Sequence, residues 1–551
     1  MYLRVTILVL FIALLALPFA FRTRHQEPIV LSDRPQVIIV TPHNEQIRYE
    51  FGRGFERWYK RKFNQDVQVV YNVPGGTSEI RKMLESQTRA ALEGGTPVGG
   101  SADLVFGGGS SEFKRLKNPI TVSAGGETRT ASILAPVDFD QAWLESVYGQ
   151  NQIGDTVLYD QEKYWFGTAL SGFGIVWNRD MLRQLGVGDP VHWADLAHPK
   201  LVGHVALVNP AQSGSIATAF EAILKQKGWT KGWQILRRAG ANARYFSGSS
   251  LKPPIDVTQG DAAMGVCIDF YGRYQSQMVR MVGDSDRVGY IDPPGETTID
   301  PDPIAMLNGA PHPELAKRFI EFCLSVDGQS LWQFPAGGNT NDGLGPEKFE
   351  LRRLPIVREM YDRYADRFID HAEPFKTSLP TRYPDAPFRE FVSPIFASMV
   401  MDCQGDLREA WQAIIHHPAY PVQGESSQIV TAADVTDPSL KSMLELFDSM
   451  PGIPGIETAA DSSGQERVFS LNPEAYEREG ISQEQATVAF FDVLKSVRAG
   501  WLKGEWSGKG LWSPEASGAD ELRRRCTREF TKNYREIVRI ANESAAAVSM
   551  R

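Results

Sequence analysis

Cysteine is scarce: four are spread through 551 residues. Cys267, Cys323, Cys403 and Cys526 form neither a CxxC pair nor a metal-ligand spacing. Disulfides stay open to them in an oxidising compartment, but so few do not make a disulfide scaffold. Positive charge is also short. With 58 Lys and Arg against 67 Asp and Glu, the formal net charge is -9, and the basic stripe of a nucleic-acid binder is missing. A locally positive cleft stays compatible with that balance. No lysine follows a glycine run at P-loop spacing. What is present, 42% hydrophobic and 23% charged residues, is the composition of globular domains, roughly two to four at this length.

The N-terminus sets the compartment. Met1 to Arg4 is a short basic lead, and Val5 to Phe21 is apolar apart from Thr6 and Pro18. Residues 1–26 therefore read as a signal peptide or an N-terminal membrane anchor. Pro18-Phe19-Ala20 is a poor small-x-small cleavage site, and no cysteine is available there for lipidation. In either case the body lies outside the cytoplasm, periplasmic, held at the inner membrane if residues 5–21 are retained.

The central pattern is a short strand, a Gly/Ser turn and a helix start. Val205 to Val208 is an apolar strand; Asn209-Pro210 ends it, and Ser213-Gly214-Ser215 opens a helix carrying Ile216, Ala219, Phe220, Ile223 and Leu224. Such a helix start leaves first-turn N–H groups pointing outward and favours negative charge. The pattern repeats at Val67 to Ser78 and at Asp103 to Ser111, around Pro74-Gly75-Gly76-Thr77-Ser78 and Gly107-Gly108-Gly109-Ser110-Ser111. Three such units suggest helix N-termini converging on a cleft that binds a small anion, outside the carboxyl ends of the strands. Tyr164 to Asn178 reads as two paired strands split at Ala169-Leu170-Ser171-Gly172. Val288 to Ile291 and Pro303 to Met306 carry the chain back toward the first lobe.

The order of ADLVFGGG (102–109), GIVWNRDML (174–182), WADLAHP (193–199), NPAQSGS (209–215), GDAAMGVCIDFY (260–271) and DPIAMLNGAPHPELAKRFIEFCLS (302–325) resembles a known family. It is that of the extracytoplasmic solute-binding proteins of ABC importers, in the branch with ferric-iron, phosphosugar and aminoethylphosphonate binders. The resemblance runs from about Val37 to about Ile414. It implies an α/β, two-lobed type 2 periplasmic-binding-protein fold with hinge-linked lobes. Lobe 1 is expected over 37–140 and 289–420, lobe 2 over 141–288, and a mainly helical C-terminal extension over 421–551. It further implies a small-molecule anionic ligand and an ABC permease as partners, with no nucleic acid, no cofactor and no enzyme activity.

Iron binders of that branch use a histidine, a glutamate and two adjacent tyrosines. His43 and Tyr271 fall at the histidine and first-tyrosine positions, so they are the metal ligands if iron binds. The glutamate position falls in the Gly107-Gly108-Gly109 run and the second tyrosine position is Gly272. An anionic hydroxylated molecule fits the remaining residues better. Thr77, Gly108, Ser213 and Ser215 would hold a phosphate or phosphonate, and a protonated His43 would add charge. Asp269, Tyr271 and Glu296 would face the other end, and Glu45 and Ser171 complete the candidate set. Alternatives are a ferric-iron receptor with an anion completing the metal shell, a membrane-anchored sensory or scaffold protein, and a phosphate-ester hydrolase. The last lacks a nucleophile–base pair, since Ser213 has no obvious base. Beyond Pro421 the reading is of helices over Asp434 to Met450, Ser482 to Leu502 and Ala519 to Ala547, the last packing on the body. Met450 to Ser463 reads as a loop and Trp501 to Trp512 as an aromatic cap.

Overall fold

The computed structural model describes residues 34–549 except 284, 338–342, 459–466, 478–481 and 498–517. The N-terminal segment 1–26 and the Trp501 to Trp512 stretch lie outside the described residues. Among those described, no helix is long and apolar enough to cross a membrane.

The first half alternates strand and helix. β1 (Gln36–Val40), α1 (Glu45–Phe63), β2 (Gln68–Asn72), α2 (Thr77–Gly94), β3 (Leu104–Phe106) and α3 (Ser110–Lys117) come first. A hairpin of β4 (Ile120–Ala124) and β5 (Glu127–Ala131), then β6 (Leu134–Ala135), α4 (Gln141–Tyr148) and β7 (Phe166–Ser171) follow. Next are β8 (Phe173–Asn178), α5 (Arg179–Leu185), β9 (Val205–Val208), α6 (Gly214–Lys227), α7 (Trp229–Ala241), β10 (Ala243–Ser247), α8 (Lys252–Gln259), β11 (Met264–Ile268), α9 (Asp269–Gly283) and β12 (Val288–Ile291). β13 (Asp300–Leu307), α10 (Pro313–Leu324), α11 (Val326–Gln333), β14 (Leu354–Pro355), α12 (Glu359–Arg363) and α13 (Pro374–Thr377) lead to α14 (Arg389–Phe396) and α15 (Gln404–Ile415). α16 (Pro438–Asp448), the hairpin β15 (Gly452–Thr458) and β16 (Arg467–Ser470), α17 (Gln483–Val497) and α18 (Gly518–Ser549) close the chain.

Two sheets define two lobes. The seven-stranded sheet runs β14-β7-β13-β3-β1-β2 with β6 beside β13, and the five-stranded sheet runs β10-β9-β11-β8-β12. β1 is parallel to β2 and β3, and β9 is parallel to β10 and β11. The apolar runs of the central strands are buried on both faces: β9 is VALV and β11 is MGVCI, with every residue buried. In the first lobe Phe51 and Phe55 of α1 pack against Phe322 of α10, with ring centroids 6.0 and 5.7 Å apart.

Three boundaries differ from the sequence reading. β7 and β8 do not pair with each other. β7 bonds β13 and β14 in the first sheet, and β8 bonds β11 and β12 in the second. Gly172 is thus a crossing between lobes, and residues 141–171, expected in lobe 2, belong to lobe 1: Tyr148 Oη donates to Gly167 O at 2.7 Å and Tyr159 bridges Phe166. β12 stays in the second sheet, so the return crossing lies over 292–299. Finally, α14 and α15 pack on lobe 2, not lobe 1: Phe396 stacks 4.8 Å from Phe220 of α6, and Trp411 Nε1 donates to Asn242 Oδ1 at 3.0 Å. Burial decides these assignments, because apolar strands read alike from either sheet.

In the C-terminal extension α18 packs on α15 and α16 through buried Cys526, Phe530, Tyr534 and Ile537, with Tyr534 Oη donating to Met399 O at 2.9 Å. This is the packing role expected of that helix. The Met450 to Ser463 stretch contains β15 rather than a loop alone. All four cysteines are free and buried.

Candidate ligand-binding site

A cleft of about 260 Å³ opens where the parallel strands of both lobes end. The first lobe contributes Pro42 and His43 after β1, Gly76, Thr77 and Glu79 after β2, Gly108 after β3, and Asp302 and Arg353. The second contributes Gln212, Ser213 and Ser215 after β9, Gly248 to Leu251 after β10, and Ile268, Phe270 and Tyr271 at the end of β11.

Two helix N-termini face this space. Ser213 caps α6, its Oγ accepting from the Ile216 N–H at 3.4 Å, so its hydroxyl is partly committed and the Gly214 and Ser215 N–H groups are the ones a helix end leaves outward. α2 starts after Gly76, whose N–H donates to Glu79 Oε2 at 2.9 Å. The lobes touch here: a Cβ on Gly214 would sit 2.8 Å from Thr77 Oγ1. Arg389 backs the contact, donating to Thr218 Oγ1 at 3.0 Å and Gly214 O at 3.1 Å, and lying 3.8 Å from Glu112 Oε1 of the other lobe.

The third unit behaves differently. The start of α3 is capped from within, because Asp300 accepts from the Ser110 N–H at 3.1 Å and from Ser110 Oγ at 2.7 Å. The chain supplies its own carboxylate there, so two of the expected helix ends, not three, are left for a ligand.

The floor is a buried charge cluster. Asp302 Oδ1 accepts from the Gly108 N–H at 2.7 Å, while Oδ2 pairs with His43 Nε2 at 2.7 Å and with Arg353 Nη1. Arg353 Nη2 donates to Ser171 Oγ at 2.8 Å, and its guanidinium lies 4.6 Å from the Phe270 ring centroid. Burial pushes the Asp302 carboxyl up, but Arg353 and His43 outweigh it and hold it below the usual carboxylate range. Burial also lowers His43, against the pull of Asp302. His43 is therefore neutral near pH 7, donating from Nε2, so the charge that a protonated His43 would add is not supplied here. Gly107, at φ +101°, is required by this arrangement: a Cβ there would lie 2.5 Å from His43 Nε2.

Of the candidate residues, His43, Thr77, Gly108, Ser213, Ser215 and Tyr271 line the cleft. Glu45 lies in an adjoining chamber. Ser171 sits beneath the floor as the acceptor for Arg353. Asp269 is wholly buried, Oδ1 accepting from the Phe270 N–H at 2.8 Å and Oδ2 lying 3.4 Å from Arg273 Nη1. Glu296 is a brace for the return crossing: it pairs with His192 Nδ1 at 2.9 Å and with Lys227, and accepts from the Trp193 N–H at 3.2 Å. Asp269 and Glu296 thus do not line the cleft. Asp302 and Arg353 were missed, although acids within DPDPIAML and arginines between Leu351 and Leu354 are charged groups in apolar surroundings, which is the signature of a buried pair.

Asp269 carries a pH prediction. Burial pushes its carboxyl from 3.8 up to about 6, against the opposing charge of Arg273. The folded state then binds the extra proton between those values, so stability falls as pH rises through that window and the ionised form is a cost at pH 7. Asp269→Asn should gain on the order of 1–3 kcal/mol at pH 7.5 and nothing near pH 3.5, read as the difference in thermal unfolding between the two pH values. A loss of stability at pH 7.5 would mean that the Arg273 contact outweighs the burial cost.

Residues 119–342 match the family of bacterial extracellular solute-binding proteins. The phosphoglycerate transport regulatory protein PgtC of Salmonella typhimurium is 28% identical over 163 residues, 30% of this chain and 39% of that relative's length. Among solved structures, the periplasmic binding protein AfuA from Actinobacillus pleuropneumoniae, with exogenous fructose-6-phosphate bound, is 15% identical with a TM-score of 0.46 over 67% of this chain and 99% of that one. Iron-bound HitA from Pseudomonas aeruginosa is 16% identical with a TM-score of 0.42 over 68% and 99%. Residues 119–342 are thus similar to bacterial extracellular solute-binding proteins, and the two sheets, with one cleft lined from both lobes, give the chain the two-lobed α/β architecture of the type 2 periplasmic-binding fold.

Proposed function

We propose that this protein is the periplasmic receptor of an ABC-type importer, clamping a small phosphorylated or phosphonate organic anion between its lobes and passing it to a membrane permease. One observation carries the reading: helix N-termini from different lobes, those of α2 and α6, meet at a single cleft with the hydroxyls of Thr77, Ser213 and Ser215 around them. The space is that of roughly nine waters, the scale of a small acid. The PgtC relative is named for phosphoglycerate transport, which fits that size and charge.

Ferric iron is less well supported. His43 has its Nε2 committed to Asp302, and burial pushes the Tyr271 phenol up to about 12, so a phenolate ligand is costly here.

The test is a thermal-shift panel with 3-phosphoglycerate, aminoethylphosphonate, inorganic phosphate and ferric citrate. A ligand at a hundred times its Kd stabilises by about 2.7 kcal/mol. Phosphorylated or phosphonate compounds are expected to shift the transition in the native protein and not in Ser215→Leu, whose own transition should stay near the native one because Ser215 is not the cap. Binding undiminished in Ser215→Leu would remove the α6 anion seat, and a shift with iron alone would favour the metal reading.

A further inference from the structure

The ligand-binding cleft does not end at Tyr271. A second chamber of about 240 Å³ adjoins it and shares Leu251, Phe270 and Tyr271 as a common wall. The two differ in chemistry. The inner one is ringed by hydroxyls, helix ends and the Arg353–Asp302 pair. The outer one is walled by the shared residues with Ile255, Tyr274 and Leu351, drawn from both lobes.

Two of these side chains are more exposed than apolar groups of their size usually are. Leu251 is 39% and Ile255 40% accessible, both at the start of α8 and both turned to this chamber. The Phe270 and Tyr271 rings lie 4.0 Å apart, tilted at 45°, and present a rigid aromatic partition. Phe270 is fixed from behind by the Arg353 guanidinium. Acidic groups stand at the mouth: Glu45 is exposed, and Glu350 accepts from Gln277 Nε2 at 3.3 Å. A second negative charge is therefore disfavoured in the outer chamber, while a neutral or cationic apolar group is not.

We propose that the two chambers form one bipartite site, and that the ligand is a phosphate or phosphonate joined to a planar, apolar body. The anionic head occupies the inner chamber and the body lies against Tyr271, Tyr274 and Ile255. This rests on the anion reading of the inner chamber and adds the part of the ligand beyond the head. Burial of apolar surface is the driving term: the exposed faces of Leu251 and Ile255 leave water when the body enters, and an aromatic body gains ring contacts with Tyr271 and Tyr274.

The test compares probes that share a head and differ in body: inorganic phosphate, glycerol 3-phosphate, phenyl phosphate and pyridoxal 5′-phosphate, titrated by calorimetry. The ring-bearing phosphates are expected to bind at least tenfold more tightly than glycerol 3-phosphate. In Ile255→Asp and Tyr274→Ala that preference should collapse, with the affinity for glycerol 3-phosphate unchanged. Equal affinity of ring-bearing and aliphatic phosphates for the native protein, or a preference that survives both substitutions, would overturn the bipartite site and leave the anion seat standing. Failure of every phosphorylated probe to bind would overturn both.

Discussion

Asp302→Ala should cost about 3–5 kcal/mol of folding stability, the usual penalty when one partner of a buried ion pair is removed. Asp302 is 2% and Arg353 5% accessible, so the guanidinium left behind has little water to turn to. Its remaining polar contacts, Ser171 Oγ at 2.8 Å and His43 Nε2 at 3.3 Å, carry no charge. The Gly108 N–H and His43 Nε2 lose their acceptor in the same step. Ligand affinity should fall with stability, since His43 and Gly108 are set in place by this carboxylate. Chemical denaturation followed by tryptophan fluorescence reads the first effect and calorimetry the second. The contribution also has a pH signature. Because the folded-state carboxyl lies below its ordinary value of 3.8, the stabilisation is complete above that value and is lost as the pH falls through the lower one. Replacing the pair together, as Asp302→Asn with Arg353→Met, should recover most of the stability and none of the affinity. A cost below about 1 kcal/mol for Asp302→Ala would mean that Arg353 is solvated, and the cluster would not be the floor of the site.

The second large effect concerns Gly272, where the resemblance to iron binders expects a tyrosine. A Cβ at this position would lie 2.0 Å from Tyr290 Cδ2 and 2.6 Å from Cε2. Tyr290 cannot simply turn away, because its hydroxyl donates to Asp292 at 2.6 Å and Asp292 in turn holds Arg273. Gly272→Ala is therefore expected to destabilise by roughly 1–3 kcal/mol and Gly272→Tyr by more, with no gain in ferric-iron affinity. If the ring of Tyr290 is the obstacle, Tyr290→Ala should restore part of what Gly272→Ala loses, a coupling that a double-mutant cycle isolates. Additive losses would place the obstacle elsewhere. An iron-binding Gly272→Tyr protein would show that the missing tyrosine alone separates this protein from the metal binders.

How far the site could be read in advance depended on the kind of residue. Thr77, Gly108, Ser213 and Ser215 were legible because a strand end, a Gly/Ser turn and a helix start are consecutive in sequence, and the geometry of a helix N-terminus follows from them. Gly107 and Gly272 were visible as departures from a pattern, but their reason was not: His43, in the loop after β1, and Tyr290, on β12, supply the rings that exclude a Cβ, and both are distant in sequence. Asp302 and Arg353 are 51 residues apart and meet only because β13 and the stretch before β14 both flank β7. His43 lines the cleft, but its neutrality comes from burial, which no local pattern reports.

By itself the sequence determined the α/β class, the two lobes, the helical extension and the strand–turn–helix units, because periodicity and turn chemistry are local. The tertiary structure alone decided which lobe owns β7, β12 and α14, which helix end is already closed by Asp300, and where the buried countercharge lies. Those are outcomes of long-range pairing and desolvation. An apolar strand fits either sheet until its neighbours are fixed, and a charged side chain becomes a cluster only when burial removes water and brings its partner within hydrogen-bond reach.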